Sequence, residues 1–207
     1  MRLPHLVDPV SALRAPTTSD PLRVIASACL LGQAVGCDGT DYGLGGRLQD
    51  FLSLPTLKVI SFCPEDHGIG TPRAMPDIYG GDGFDVLDGR ARVLDEHGVD
   101  LTQQMRFGAD AMLLLAIEHD SEIALLTDMS ASCGSQVISD GCRLVEKRKF
   151  RASVGVTTAL LIRNGIFVVS QRDFRTLDLL RAAFDPCHQP DSATRDHHET
   201  KWYKETF

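Results

Sequence analysis

The stretch VIASAC, residues 24–29, decides how this chain is interpreted, because a short apolar run ends there at a cysteine. The pattern recurs in KVISFC (58–63), and IALL (123–126) is followed by a short polar stretch and then Cys133. Each run is typical of a buried strand, so each cysteine lies where a strand gives way to a loop. Ligands bind at the carboxyl ends of strands in open α/β sheets, and three thiols converging there suit a metal ion or an iron–sulfur cluster.

The composition indicates one globular domain without general affinity for nucleic acid. The 207 residues are 43% hydrophobic and 24% charged, which is ordinary for a chain with a substantial core. A net charge of −7 argues against general nucleic-acid binding, which needs a basic surface. The one basic stretch, RLVEKRKFR (143–151), is interpreted as a solvated face or loop.

The cellular compartment follows from what the sequence lacks. No segment is long and apolar enough to span a membrane, and residues 1–20 lack the continuous apolar region of a secretory signal. We therefore expect a cytoplasmic protein, in which disulfides are rare. Six cysteines in that compartment indicate metal binding, catalysis or plain burial rather than a disulfide framework.

Strands that alternate with helices predict an α/β fold, a Rossmann-like domain with a mostly parallel sheet flanked by helices. The predicted strands are 23–28, 57–62, 122–127 and 166–169. A short helix is predicted at 47–54 and another helix at roughly 171–184. The expected organisation is an irregular N-terminal extension (1–22), the α/β domain (23–184) and a polar C-terminal tail (185–207). The tail is interpreted as solvated, with its end anchored to the body as an alternative through Trp202, Tyr203 and Phe207.

Local signals predict a hairpin and several helix ends. An Asp88-Gly89 turn between residues 84–87 and 91–94 predicts a hairpin, and the Pro- and Gly-rich segment 64–84 is interpreted as a long loop. Another loop is expected at 128–140. Helix caps are predicted at three places: Asp100 with Gln103, Ser153 for a helix that ends at Asn164-Gly165, and Ser170 with Asp173.

The first chemical unit is Cys63-Pro64-Glu65. Proline lacks a backbone donor and has a fixed φ, so it is expected to end the strand and to hold Cys63 and Glu65 in a fixed relation. A carboxylate two residues from a metal-bound thiolate is well placed for acid–base work. The alternative is a buried structural cysteine beside a surface glutamate.

The second unit is SASCGS, residues 130–135. Its small residues allow the backbone to approach a ligand closely, and its hydroxyl and N–H groups can face a sulfur cluster or a substrate oxygen. The alternative is an ordinary Ser/Gly turn. The wide spacing of the three strand-end cysteines matches no dense cluster-binding run, so spacing alone names no cofactor.

The remaining cysteines and glycines carry weaker signals. Cys37 lies close to Cys29 in a glycine-rich loop as a possible fourth ligand, and Cys142 follows a glycine in a turn. The tail is interpreted as solvated, with a peripheral zinc or nickel site as a minor alternative. The candidate ligands of that site are Cys187, His188, His197 and His198. The glycines at 43, 45 and 46 precede no Lys-Ser pair, so they do not form a phosphate-binding loop.

Five ordered segments of the chain resemble the thiouracil desulfurase family. They span residues 23–172 approximately and read SACLLGQAVGCDG (27–39), FCPEDHGIGTPRAMPDI (62–78), GVDLTQQMRFGADAML (98–113), SASCGSQVISDG (130–141) and GVTTALLIRNGIFVVS (155–170). Five motifs in one order make this resemblance far more specific than any one of them.

The resemblance implies a Rossmann-like domain that holds a [4Fe–4S] cluster through Cys29, Cys63 and Cys133. The fourth iron then has no protein ligand and is open to the sulfur of a thiolated base. The implied reaction is non-redox: thiouracil and water give uracil and sulfide. Glu65 and Ser132, the serine before the third cysteine, are the implied catalytic residues.

Four positions depart from the pattern that family members commonly show. Members read VRYDG where this chain has Gly36 and Cys37, and they carry a lysine and a proline where this chain has Thr127 and Ala131. These positions lie close to the predicted site, so they bear on which substrate the protein accepts.

Three hypotheses about function follow from the sequence. The first is an iron–sulfur desulfurase acting on a small thiolated base such as 2-thiouracil. The second is a non-catalytic iron–sulfur or metal-binding sensor module, suggested by the departures at Gly36, Cys37 and Thr127. The third is a cluster-free α/β enzyme acting on nucleobases or nucleosides through Glu65. The sequence makes no prediction of the oligomeric state.

Overall fold

The computed structural model describes residue 3 and residues 6–43 and 48–207. In those ranges the strands are β1 (Leu22–Ser27), β2 (Leu57–Phe62), β3 (Asp77–Tyr79), β4 (Arg92–Leu94), β5 (Ile123–Leu126), β6 (Val137–Ser139), β7 (Phe150–Ala152) and β8 (Phe167–Ser170). The α-helices are α1 (Pro9–Ala12), α2 (Gln49–Leu52), α3 (Pro64–Gly68), α4 (Gly83–Leu87), α5 (Thr102–Glu118), α6 (Val156–Arg163), α7 (Phe174–Phe184) and α8 (Lys201–Thr206). Single 3₁₀ turns span Ala28–Leu31 and His197–Glu199.

The central sheet is parallel throughout and has the strand order β2-β1-β5-β8. Val24 of β1 is in register with Val59 of β2 on one side and with Ile123 of β5 on the other. The predicted α/β class is therefore confirmed. The chain adds β2 on one side of β1 and then crosses to β5 on the other, so the switch point of the sheet lies between β1 and β5.

Helices cover both faces of the sheet because its inner strands are apolar on both sides. On one face Val24 belongs to the same buried cluster as Leu177 and Leu180 of α7. On the other face Ile25 belongs to the same buried cluster as Met112 of α5 and Leu161 of α6. Each fully buried leucine or isoleucine contributes about 1.5–3 kcal/mol of hydrophobic free energy, so these two layers hold the strand ends in place.

A close contact between α3 and α5 fixes the segment that follows β2. A Cβ atom on Gly108 of α5 would lie 1.9 Å from the carbonyl oxygen of Pro64. A Cβ atom on Gly68 of α3 would lie 2.1 Å from the carbonyl oxygen of Gln104. Only glycine permits this approach, and it places the start of α3 directly against the long helix.

The hairpin predicted around Asp88-Gly89 is wrong. Residues 83–87 form α4 instead, because Asp82 and Asp85 cap it reciprocally through N–H···O bonds of 3.1 and 3.2 Å. The second predicted strand exists, but β4 pairs antiparallel with β3, which lies inside the segment predicted to be a loop. The predicted loop 128–140 likewise contains β6, which pairs with β7.

The predicted helices exist, but their caps differ. Asp100 accepts a hydrogen bond from the Thr102 amide, and α5 starts without the predicted Gln103 capping box. The N-cap of α6 is Gly155, because the Ser153 hydroxyl donates to Asp82 instead. The 47–54 helix is limited to α2, and residues 44–47, with Gly45 and Gly46, lie outside the described ranges.

Both ends of the chain contain ordered elements. The N-terminal segment includes α1, and Leu6 is buried in the core beside the sheet. In the C-terminal segment His197 and Tyr203 are both 3% exposed, so the interpretation of residues 185–207 as a solvated tail is wrong for this part. Residues 144–149 are exposed, as predicted. Among the described helices, none has the length and apolarity needed to cross a bilayer.

Candidate active site

The three strand-end cysteines line one cavity of about 280 Å³. Cys29 lies in the 3₁₀ turn after β1, Cys63 directly precedes α3, and Cys133 lies in the loop after β5. Because β2, β1 and β5 are neighbours in one parallel sheet, their carboxyl ends meet at the same edge. The predicted convergence of the three thiols is therefore confirmed, and it lies at the switch point of the sheet.

Burial favours the protonated form of these thiols when no metal centre is bound, even with Arg73 in the cavity wall. It raises the pKa of Cys63 to about 11, and it raises the pKa of Cys29 and, more strongly, that of Cys133. The Glu65 carboxylate adds to all three increases, so it lies within electrostatic reach of every thiol. A bound cationic centre reverses this balance, because a coordinating thiol loses its proton outright.

The spacing of the sulfur atoms suits a cluster better than a single ion. Two thiolates on one zinc-sized ion lie at most about 4.6 Å apart, twice a metal–sulfur bond. Across the described parts of the chain, only Asp173, Asp196 and His198 bring three potential ligand atoms within 4.8 Å of one another. At least one pair among the Cys29, Cys63 and Cys133 sulfur atoms is therefore farther apart than that, which fits a group with several metal atoms.

Glu65 is held in the cavity wall by a cation and a hydroxyl. Its Oε2 accepts hydrogen bonds from Nε and Nη2 of Arg73 at 3.2 and 2.9 Å, and its Oε1 accepts one from the Ser130 hydroxyl at 2.7 Å. Glu65 is 8% exposed, and its carboxylate neutralises the buried guanidinium. The alternative of a surface glutamate is wrong.

Ser130, rather than Ser132, presents its hydroxyl to the cavity. The Ser130 Oγ accepts hydrogen bonds from the amides of Ser132 and Cys133 at 3.0 and 2.9 Å, so its proton is directed to Glu65. Ser132 is fully buried, and its Oγ lies 2.7 Å from the Oγ1 of Thr157. Ser130 is among the residues that form the cavity wall, whereas Ser132 is not.

Sequence reasoning missed two arginines in the cavity wall. Arg73 lies in the same motif as Glu65, and that proximity is the signal that would have identified it. Arg143 belongs to the stretch predicted to be solvated, but its Nε donates to buried Asp77 at 2.6 Å and its Nη1 to the Met129 carbonyl at 2.8 Å. For Arg143 that prediction is wrong.

The departures from the family pattern lie around this cavity. A Cβ atom on Gly36 would come within 2.5 Å of the Thr40 carbonyl oxygen and 2.6 Å of the Tyr42 ring, so no larger side chain fits there. The Tyr42 hydroxyl accepts a hydrogen bond from the amide of Cys37 at 2.8 Å. These residues close one side of the cavity with a tyrosine and a fourth thiol.

The other two departures, Thr127 and Ala131, have different surroundings. The Thr127 Oγ1 lies 3.0 Å from the Cys29 sulfur, so the residue at the lysine position contacts a predicted ligand. Ala131 is 1% exposed and packs in the core that contains Ile138 and Val156. Thr127 therefore contacts a thiol of the site directly, whereas Ala131 packs in the core beneath the loop that carries Cys133.

The C-terminal histidines do not form the peripheral metal site considered above. The His188 Nε2 lies 2.6 Å from Asp178, whereas the His197 Nδ1 lies 2.6 Å from Asp128. Cys187 is exposed. In the part of the chain that the structure describes, the group formed by Asp173, Asp196 and His198 has carboxylates that already accept backbone and side-chain hydrogen bonds.

The sheet topology and the lining of the cavity indicate an enzyme. Three thiols at the switch point of a parallel α/β sheet, beside a buried carboxylate bound to a guanidinium and a hydroxyl, are the features of an α/β enzyme with a thiol-lined site.

Within that class, the chain belongs to the 2-thiouracil desulfurase family, whose model matches residues 24–173. This confirms the resemblance seen in the sequence. The chain is 36% identical over 155 residues to the uncharacterized protein YbbK of Bacillus subtilis (strain 168), covering 74% of this chain and 99% of the relative. A solved structure described as the [4Fe-4S]-dependent thiouracil desulfidase TudS is 35% identical, with a TM-score of 0.63, over 78% of this chain and 98% of that one.

Proposed function

We propose that this protein removes sulfur from a thiolated pyrimidine such as 2-thiouracil by non-redox hydrolysis. The carbon–sulfur bond breaks, a carbon–oxygen bond to water forms, and the two protons of the water leave with the sulfide. The observation that carries the proposal is one cavity lined by three strand-end thiols and by the Glu65–Ser130 pair. Family membership supports the same reaction class.

We further propose that Cys29, Cys63 and Cys133 hold a [4Fe–4S] cluster. Their side chains are soft sulfur ligands, they line one cavity, and they stand too far apart to share a single ion. The similar solved structure is described as [4Fe-4S]-dependent, which supports the assignment. When bound through three cysteines, the cluster supplies a Lewis-acidic iron with an open position for the leaving sulfur.

Glu65 is the proposed proton carrier of the site. Its Oε1 already accepts the Ser130 proton at 2.7 Å, so a proton taken from water can pass through the hydroxyl to the carboxylate. Arg73 holds Oε2 and thereby fixes the orientation of the carboxyl group. The geometry favours Ser130 over Ser132 as the hydroxyl that assists, because Ser132 faces Thr157.

Anaerobic incubation of the cluster-loaded protein with 2-thiouracil tests this function. We expect uracil and sulfide in equal amounts, and about 100-fold less of both with Glu65→Gln, since general acid–base groups contribute 10²–10⁴-fold. Glu118→Gln, at an exposed position on α5, is the matched control and should retain full activity. A fully loaded protein that releases no sulfide contradicts the proposal, as does activity that survives loss of all three cysteines.

One observation favours a second candidate, a non-catalytic iron–sulfur sensor. Cys37 supplies a fourth thiol to the cavity wall, and four cysteine ligands are the common arrangement of clusters without an open iron. A loaded wild-type protein without activity, together with a Cys37→Ala variant that gains it, would favour this candidate. Equal activity of the wild type and Cys37→Ala would exclude ligation by Cys37 during turnover.

A further inference from the structure

The loop that carries Ser130 and Cys133 is organised by one buried carboxylate. Asp128 is 4% exposed, and its Oδ1 accepts hydrogen bonds from three successive backbone amides, those of Ser135, Gln136 and Val137, at 2.8, 3.0 and 3.0 Å. These bonds close residues 128–137 into a compact turn. Because Ser130 and Cys133 lie inside that turn, their positions depend on the position of Asp128.

The other oxygen of Asp128 is held by the C-terminal segment. The His197 Nδ1 lies 2.6 Å from Asp128 Oδ2, and the side chains of the pair are 4% and 0% exposed. The imidazole ring stacks on Trp202 with ring centroids 5.4 Å apart, and Tyr203 meets it edge-on at 5.7 Å. The His197 amide also donates to Asp173 at 3.1 Å, so the histidine is fixed by its ring and its backbone together.

This support comes from outside the region shared with the family. The family match ends at residue 173, and the similar solved structure covers 98% of its own length but only 78% of this chain. His197 therefore belongs to a part of the chain that the family match does not include, although it contacts a residue of the cavity wall.

We propose that His197 is a positioning residue for the desulfurase site, acting through Asp128 on the loop that carries Ser130 and Cys133. The proposal rests on the proposed function. Without the imidazole donor, a buried carboxylate oxygen loses its partner, and the turn that Asp128 holds becomes looser. The reactive hydroxyl and the third thiol then lose their fixed relation to Glu65.

Two variants separate the hydrogen bond from the packing of the ring. His197→Phe keeps an aromatic ring against Trp202 and removes the donor, whereas His197→Asn keeps an N–H donor near the place of Nδ1 and removes the ring. A positioning role predicts that the Phe variant is defective and the Asn variant is largely rescued. A role in packing alone predicts the reverse order. His188→Phe, which removes a similar His–Asp pair with Asp178 in the same segment, is the matched control.

Amide hydrogen exchange at Ser135, Gln136 and Val137 is the first readout, because it needs no activity. We expect exchange about 10- to 100-fold faster in His197→Phe, the range for loss of a hydrogen bond to a charged group, and near wild-type rates in the other two variants. The second readout is sulfide release by the loaded protein, with a lower kcat and an unchanged KM in His197→Phe.

Unchanged exchange in His197→Phe overturns the proposal, and so does faster exchange with unchanged kcat in an active protein. A loaded wild type that releases no sulfide contradicts the proposed function and leaves the coupling between His197 and the loop to be decided by the exchange rates alone.

Discussion

At the scale of single residues, the chemistry depends on which hydroxyl faces Glu65. Ser130 and Ser132 are two positions apart in a turn, and the sequence does not show where each side chain points. The resemblance implied Ser132, the neighbour of Cys133, whereas the structure directs Ser130 to the carboxylate. The two amides that donate to the Ser130 oxygen leave its proton for Glu65, which supports Ser130 as the proposed reactive hydroxyl.

The two serines give a matched pair of variants. We expect Ser130→Ala to lower kcat by about 100-fold, since it removes the hydroxyl proposed to relay a proton to Glu65. We expect Ser132→Ala to leave kcat within a few fold and to lower the free energy of unfolding by about 1 kcal/mol, the value of its lost bond to Thr157. Sulfide release and urea unfolding measure the two effects, and the opposite order of kcat values would restore Ser132 as the reactive hydroxyl.

The site residues that could be predicted from the sequence are those whose place relative to a strand end is visible in it. Cys29 and Cys63 lie at the ends of apolar runs, and Glu65 follows a proline that fixes its place, so all three were predicted at the site. Arg73 and Arg143 were missed, because a long arginine side chain reaches the site from a loop whose course depends on the folded structure.

At the scale of elements, the contact of α3 with α5 sets the position of the Cys63-Pro64-Glu65 unit. The backbone of Pro64 lies against Gly108, and no side chain fits between the two helices. Alanine usually stabilises a helix interior by about 1 kcal/mol relative to glycine, so a glycine at this position of α5 indicates a packing requirement.

Gly108→Ala tests that requirement. We expect the variant to lose about 1–3 kcal/mol in the free energy of unfolding, because its Cβ would lie 1.9 Å from the Pro64 carbonyl oxygen and α3 must shift. Desulfurase activity should fall as well, since Glu65 moves with α3. Asp110→Ala, at an exposed position of the same helix, is the control and should not lower stability. A Gly108→Ala variant as stable as that control would show that the two helices can separate without cost.

Asp173, at the start of α7, gives the protein a pH-dependent stability. Burial and the neighbouring Asp196 carboxylate raise the pKa of Asp173 to about 8. Between about pH 4 and pH 8 the unfolded chain has released this proton while the folded protein retains it, so the stabilising contribution present at low pH is lost as the pH rises.

We expect the free energy of unfolding of the wild type to fall by up to about 1.4 kcal/mol per pH unit as the pH rises. Asp173→Asn should remove this dependence on pH. Urea unfolding of both proteins at intervals from pH 5 to pH 8 measures it, with exposed Asp110→Asn as the control. Parallel stability curves for the wild type and Asp173→Asn would contradict the assignment.

Elements with long-range partners were the hardest to predict. The apolar runs gave β1, β2, β5 and β8 to within a few residues. The inner strands β1 and β5 are buried on both faces, which leaves a continuous apolar pattern, and the half-buried edge strand β2 has an apolar residue or a small serine at five of its six positions, with Lys58 exposed. The 84–94 hairpin failed because β4 finds its partner in β3, and the reciprocal cap between Asp82 and Asp85 turns residues 83–87 into a helix. These two interactions determine the structure of residues 83–94, although the Asp88-Gly89 pair is a local turn signal.

At the scale of the whole molecule, the order of the strands explains the site. Three cysteines that are 34 and 70 residues apart along the chain meet because β2, β1 and β5 are adjacent and parallel. Their convergence was predicted from the α/β class alone. The contribution of the C-terminal segment was not, because nothing in its polar sequence shows that His197 is buried against Asp128.

These three thiols, and not the other cysteines, are proposed to hold the iron–sulfur cluster. Anaerobic iron and acid-labile sulfide analysis of the wild type and of single Cys→Ala variants tests this assignment most directly. We predict about four irons and four sulfides per chain in the wild type, Cys37→Ala and Cys142→Ala, with loss of the cluster in Cys29→Ala, Cys63→Ala and Cys133→Ala. A reconstituted wild-type protein without iron, or a cluster that survives loss of any one of the three strand-end cysteines, would contradict the account.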